Sequence, residues 1–336
     1  MNDMIDWWVN LNPLTEEEKM SLNQYRLEEK IFESDEVYDN LVQEYFNRMP
    51  YCNLTSKDYT ITIHNSGTDF INELFDRMVD DETLIIYSDA EHPNVLKKVS
   101  EYKNQLKLHF DDDILKLNTS KIINESKKYK KVFLYIIGTQ ISSGIVTPQI
   151  FFTKLKQFFI SHNIEHTFVL DDVHGMFFVP RDYSIFDYIL YTCHANISSY
   201  DMGLLISRNS DFGEKIYNQL YQYFNMINIV LKRKDKIFLF YDVMREFFSP
   251  YLATDNFDLV TNNTHHLFAI KTNNLLYNSK IHDILGKLYI RLEGFDNNIN
   301  YILIRNGRFI KNPEHLKKGL QLLEEYIPIL LKNPLN

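Results

Sequence analysis

From about residue 58 onward the chain repeats one pattern, and that pattern limits its folds more than any single residue. Short runs rich in β-branched and aromatic residues ("YTITIH", "TLIIYS", "LKLHF", "KVFLYIIG", "HTFVLD", "YILYT", "MGLLIS") alternate with polar or amphipathic stretches near 68–80, 94–103 and 149–161. Strand-length apolar runs separated by helices predict an α/β fold with a mostly parallel, buried sheet and helices on both faces. Past residue 210 the pattern changes. Helical stretches near 211–223 and 236–248 lead to "HHLFAIKT", "KLYIRLEG" and "NYILIRNGRF", and a closing helix is predicted at 313–326. This reads as a small C-terminal α+β domain. Before the alternation starts, residues 14–48 read as acidic amphipathic helix. The boundaries that follow are an N-terminal helical segment over 1–48, a large domain over 49–225 and a small domain with a helical lead-in over 226–336.

Charge and cysteine usage narrow the function classes. A net charge of −9 argues against non-specific nucleic-acid binding, which needs a basic face to displace counterions. No run reaches the roughly 18 apolar residues of a membrane span, and the acidic opening "MNDMIDWWVNLNPLTEEEK" lacks a signal-peptide core. Cys52 and Cys193 form neither a disulfide framework nor a metal-ligand spacing, so the expected compartment is a reducing cytoplasm.

Ligands of doubly wound sheets bind beyond the carboxyl ends of the strands, so the residues after each run are the ones to inspect. Ser66-Gly67-Thr68 follows the first run and opens a helix. Such a turn can offer backbone N–H groups to an anion, or it can be a plain N-cap. His92 follows the second run, where an imidazole can stack on a planar ring or simply be solvated. In "LDDVHGMFF", Asp171 ends a strand and His174 lies three residues on; a carboxylate there can hold a heterocyclic nitrogen protonated, or the pair can be an ordinary turn. Thr192 and His194 follow "DYILY" and flank Ala195. A nucleotide site at Ser66–Thr68 is the weaker reading, because neither Gly-x-Gly-x-x-Gly nor a phosphate loop with lysine is present.

In order and spacing these segments resemble the fold type I enzymes of pyridoxal 5′-phosphate (PLP), and most closely the class V aminotransferase and cysteine desulfurase branch. The match runs over about residues 58–208 and includes the Gly-x-x-x-Pro segment "SSGIVTPQ" (Gly144, Pro148). The resemblance implies a phosphate held by Ser66, Gly67 and Thr68 with Thr192 and His194, and His92 stacked on the ring. It implies Asp171 at the pyridine nitrogen, with His174, Gln140 or Ser142 near the ring hydroxyl. Arg291, in "LYIRLEG", would grip a substrate α-carboxylate, or it is a surface arginine on a strand. It implies a homodimer acting on a free amino acid through a Cα carbanion, by transamination, by β- or γ-elimination or by replacement, with the N-terminal helices helping to dimerise or covering the cleft.

Two departures qualify it. The lysine that forms the family's Schiff base is Ala195 here, and no cysteine follows Cys193, which argues against desulfuration through a late persulfide. The expectation is a Lys-to-Ala trapping variant. The alternative is a naturally lysine-less protein of the fold, either dependent on pyridoxamine phosphate or kept for binding alone.

Overall fold

The computed structural model describes residues 16–20, 35–49, 51–64, 66–140, 144–192, 203–208, 212, 228–229, 231–232, 242–252, 257–259, 267–286, 290–293, 298–305 and 313–331. Each apolar run of the alternation is a strand: β1 (Tyr59–His64), β2 (Thr83–Ser88), β3 (Gln105–Leu108), β4 (Lys131–Ile137), β5 (Glu165–Asp171), β6 (Tyr188–Thr192) and β7 (Gly203–Arg208). They form one sheet in the order β1-β7-β6-β5-β4-β2-β3. β7 runs antiparallel to both of its neighbours, and the other pairings are parallel, so β1 to β6 all point the same way. Their carboxyl ends therefore share one edge.

The two-residue period of a strand sorts the sheet's side chains onto two faces. Leu84, Ile86, Leu134, Ile136, Leu170 and Ile189 enter one buried cluster, with α1 (Asp35–Arg48) and α5 (Gln149–Ser161). Ile85, Tyr87, Phe133, Tyr135, Val169 and Leu190 enter the other, with α2 (Gly67–Met78) and α3 (Pro93–Val99). A short α4 (Ser120–Ser126) adds Ile122 to the first cluster. Burial on both faces explains why β4, "KVFLYII", is apolar after its first residue.

Helix α1 does more than extend the N-terminal segment. Its Tyr38, Val42, Tyr45 and Phe46 are buried in the large-sheet core. Strand β1 lies at the sheet's edge, and the Tyr38 hydroxyl accepts from Ile61 N (3.0 Å) and donates to Ile61 O. Such an exposed edge needs covering. Of the helix expected over 14–48, residues 16–20 and 35–48 are helical, and 21–34 lie outside the described residues.

The C-terminal part builds a second, four-stranded antiparallel sheet in the order β10-β11-β9-β8: β8 (Phe257–Leu259), β9 (Leu267–Leu276), β10 (Ile290–Glu293) and β11 (Asn298–Arg305). It shares its own apolar cluster with α6 (242–252), α7 (Ser279–Gly286) and α8 (Pro313–Leu330). The helix expected near 211–223 lies outside the described residues, apart from Phe212, which packs into the α2–α3 cluster.

Candidate active site

Strand parity decides which side chains meet at the carboxyl edge. Asp171 ends β5 two residues past Val169, whose register partner is Tyr135, and Thr192 ends β6 two residues past Leu190. Both therefore face the side on which α2 and α3 pack. The next residue, Asp172, falls to the opposite side. There Tyr183 donates to its Oδ2 at 2.7 Å and the Arg181 guanidinium stands 3.4 Å from Oδ1. Arg181 also donates to Thr147 O (3.1 Å) and to Gly138 O, tying three loops around a buried ion pair. Of the two adjacent acids, Asp172 has a cation of its own, and Asp171 faces the α2–α3 side without one in contact among the described residues.

Asp171 is buried, and its Oδ2 accepts from the Tyr135 hydroxyl at 3.1 Å while Oδ1 takes a long bond from Val173 N at 3.4 Å. Desolvation dominates, and its carboxyl is pushed up to about 6. Burial and the nearby acids drive the Tyr135 phenol well above its ordinary range, so it remains a donor. A cation beside Asp171 would reverse the shift.

The Ser-Gly-Thr turn sits beside Thr192. Ser66 is the N-cap of α2, its Oγ accepting from Asp69 N at 3.3 Å, so the plain capping role is realised. A Cβ on Gly67 would lie 2.6 Å from Thr192 Cγ2. The start of β7 crosses just behind: a Cβ on Gly203 would meet the Ser66 carbonyl carbon and oxygen at 2.7 Å each and Gly67 N at 2.8 Å. No residue with a side chain fits there without moving backbone. Thr68 Oγ1 accepts from Asn94 Nδ2 at 2.8 Å, joining α2 to α3. Thr192 Oγ1 is buried and meets no hydrogen-bond partner among the described residues. A hydroxyl left so, beside the first turn of a twelve-residue helix, fits a phosphate that would accept from both.

His92 caps α3: its Nδ1 accepts from Asn94 N at 3.2 Å, and the ring is exposed. His174 is buried, three residues past Asp171. Gln140 belongs to the turn after β4, where Gln140 N donates to Ile145 O (2.9 Å) and Gly144 N to Gln140 O (2.7 Å). Gly144 has φ 72°, a left-handed backbone that a side chain would strain. Pro148 then caps α5. Ser142, Cys193, His194 and Ala195 lie outside the described residues, and so does the side chain of Arg291, whose backbone sits in edge strand β10 opposite Leu303. Asp171 and Thr192 thus close β5 and β6, and Ser66, Gly67, Thr68, His92, Gln140 and His174 follow the carboxyl ends of β1, β2, β4 and β5.

Four residues of this edge, Glu91, Asn94, Tyr135 and Gly203, are not singled out by sequence reasoning, and the last three carry no mark that could have done so. For Glu91 a signal exists, since Ser88-x-x-Glu91 has capping-box spacing.

No protein-family model matches the sequence, and no curated protein matches it significantly. Solved structures do. A NifS-like protein from Rickettsia africae superposes with TM-score 0.69 at 13% identity, covering 93% of this chain and 96% of that one. The multiple substrate aminotransferase from Thermococcus profundus gives TM-score 0.63 at 12% identity, with 95% and 91% covered. A PLP-bound C–S lyase from Staphylococcus hominis gives 0.62 at 12% identity, with 93% and 85% covered. At these identities the likeness establishes architecture: the chain has PLP fold type I, with a mostly parallel central sheet and helices.

Proposed function

We propose that a chain with this fold and this edge is a PLP-dependent enzyme that breaks a bond at the Cα of a free amino acid, by transamination, by β- or γ-elimination or by replacement. The observation that carries the reading is a pair of subsites on one face of the sheet. One is an orphaned buried hydroxyl, Thr192, against the Ser66–Thr68 turn; the other is a buried carboxylate, Asp171, with no cation in contact among the described residues. In this reading Ser66, Gly67, Thr68, Thr192 and His194 hold the phosphate, and His92 lies over the ring. Asp171 keeps the ring nitrogen protonated, His174, Gln140 and Ser142 stand near the ring hydroxyl, and Arg291 grips the substrate carboxylate. When bound, PLP supplies the electron sink for the bond that breaks. The reading includes a homodimer in a reducing cytoplasm and division of the chain near residues 48 and 225. No helix among the described residues is long and apolar enough to cross a membrane.

Position 195 decides turnover. In our reading Ala195 stands where the working enzyme has lysine, so this chain orients the cofactor and substrate but has no ε-amino group to exchange with the substrate or to move the Cα proton. A second reading is a naturally lysine-less protein that takes pyridoxamine phosphate or binds without turnover; it is compatible with an Asp171 held by Tyr135 and Val173, with no lysine in contact among the described residues. Ala195→Lys, supplied with PLP and screened against amino acids, tests both. Appearance of an absorbance band for a protein-bound cofactor, with product from at least one amino acid, is the expected result. Turnover by the alanine chain equal to that of Ala195→Lys would overturn the first reading in favour of the second.

A further inference from the structure

Glu91 sits in the turn between β2 and α3, one residue before His92, and is 5% exposed. Its two carboxyl oxygens are treated very differently. Oε1 accepts from Ser88 Oγ (2.6 Å), Ile137 N (3.0 Å) and Ser88 N (3.4 Å). Oε2 is buried with no partner among the described residues. A carboxylate anion spreads its charge over two equivalent acceptors, whereas a carboxylic acid has one carbonyl acceptor and one O–H. The three donors on Oε1 favour the charged form, but a carboxylate would leave half its charge on Oε2, buried and met by no donor among the described residues, and that oxygen favours the acid.

The place of those donors gives Glu91 a mechanical role. The parallel ladder between β2 and β4 runs from Thr83–Lys131 to Ile86–Leu134 and stops. Beyond it, Ser88 N and Ile137 N both donate to Glu91 Oε1, so the side chain bridges the strands where their backbones no longer pair. Ile137 is the register partner of Asp171, and Gly138 N donates to Asp171 O at 2.6 Å. Tyr135, two residues back on β4, donates to the Asp171 carboxylate. Glu91 thus joins the turn bearing His92 to the strand that holds Asp171.

Building on the reading above, we propose that Glu91 is a positioning residue held as a neutral acid, its carbonyl oxygen replacing the missing backbone rungs between β2 and β4 and so setting His92 and Asp171 at a fixed separation, while the negative charge of the acid pair stays on Asp171. The ionisable groups facing this pair are Tyr135 from β4, Asp172 beyond β5 and the Arg181 guanidinium paired with Asp172. Burial, with the Asp171 charge, outweighs the three donors, which favour the anion, and pushes Glu91 up to about 8.

The test begins on the chain without cofactor. With glutamate labelled at the carboxyl carbon by ¹³C, the resonance lost in Glu91→Gln should titrate near neutral pH or above; titration in the ordinary carboxylate range overturns the proposal. In parallel, thermal unfolding should fall as pH rises from about 6 to 8 in the parent and be flatter in Glu91→Gln, because an acid raised in the folded state loses stability up to its folded value. Identical slopes overturn it. PLP binding by calorimetry adds the positioning readout: Glu91→Gln should stay within about threefold of the parent and Glu91→Ala should lose ~10-fold or more. Asp171→Ala serves as the reference. Should Asp171→Ala bind PLP like the parent, the cofactor reading is what fails. If Asp171→Ala weakens binding and Glu91→Ala does not, the positioning role is what fails.

Discussion

At the scale of single residues, the site is defined by what is left unpaired. Thr192 Oγ1 is a buried hydroxyl with no partner among the described residues, and such a group costs about 1–3 kcal/mol. Thr192→Val keeps the shape, including the methyl that touches Gly67, and removes the hydroxyl. The variant without ligand should therefore be more stable than the parent by about 1 kcal/mol, while its affinity for PLP falls by ~10-fold through loss of one bond to an anion. Thermal unfolding and calorimetry on the same preparation read both. A variant less stable and unchanged in affinity would assign Thr192 to packing. Which residues were legible in the sequence follows the same logic. Asp171 and Ser66–Thr68 stood out because polar or small residues interrupt apolar runs at strand ends. Tyr135 did not, since a tyrosine inside "KVFLYII" is indistinguishable from core until the strand's register sends its hydroxyl to a carboxylate. Gly203 was equally silent: only the crossing of β7 behind the phosphate turn shows that a Cβ has no room there.

Among the elements, the seven strands of the large sheet were legible because each is a β-branched or aromatic run flanked by polar residues, and α5 was placed over the residues it occupies. The three-residue β8 and the eight-residue α7 were not expected, being too short for periodicity to register. Nor did the sequence reveal that α1 guards the edge of the sheet. Its apolar positions predict a buried face, but not that Tyr38 serves both polar groups of Ile61 on an unpaired strand edge. Tyr38→Phe keeps the ring in its fully buried position and strands two backbone groups away from water. The expected loss is about 1–3 kcal/mol in denaturant unfolding, with faster hydrogen exchange at the Ile61 amide. Unchanged exchange there would mean that the edge is covered by something other than this hydroxyl.

Across the whole molecule, the acid that faces the proposed ring subsite links folding to ligand and pH. Asp171 is raised to about 6 by burial, above an unfolded value near 3.9. The folded chain thus binds a proton that the unfolded chain has released, and stability present below about pH 4 is lost as pH rises to about 6. That loss is on the order of 3 kcal/mol for a shift of this size. A pyridinium cation against Asp171 favours the charged form and restores what burial removed. The stabilisation conferred by saturating PLP should therefore grow between about pH 4.5 and 6 and level off above, once Asp171 is ionised with or without ligand. Asp171→Asn has no carboxyl to titrate, so its ligand-induced shift should be smaller and flat over the same window. Calorimetric unfolding of both chains, with and without PLP at four pH values, reads this directly. A parent whose PLP-induced shift is the same at every pH places the cofactor's ring nitrogen away from Asp171. In that event the fold would remain, because the sheet order and the two clusters that bury it depend on apolar registers to which Asp171 contributes no packing.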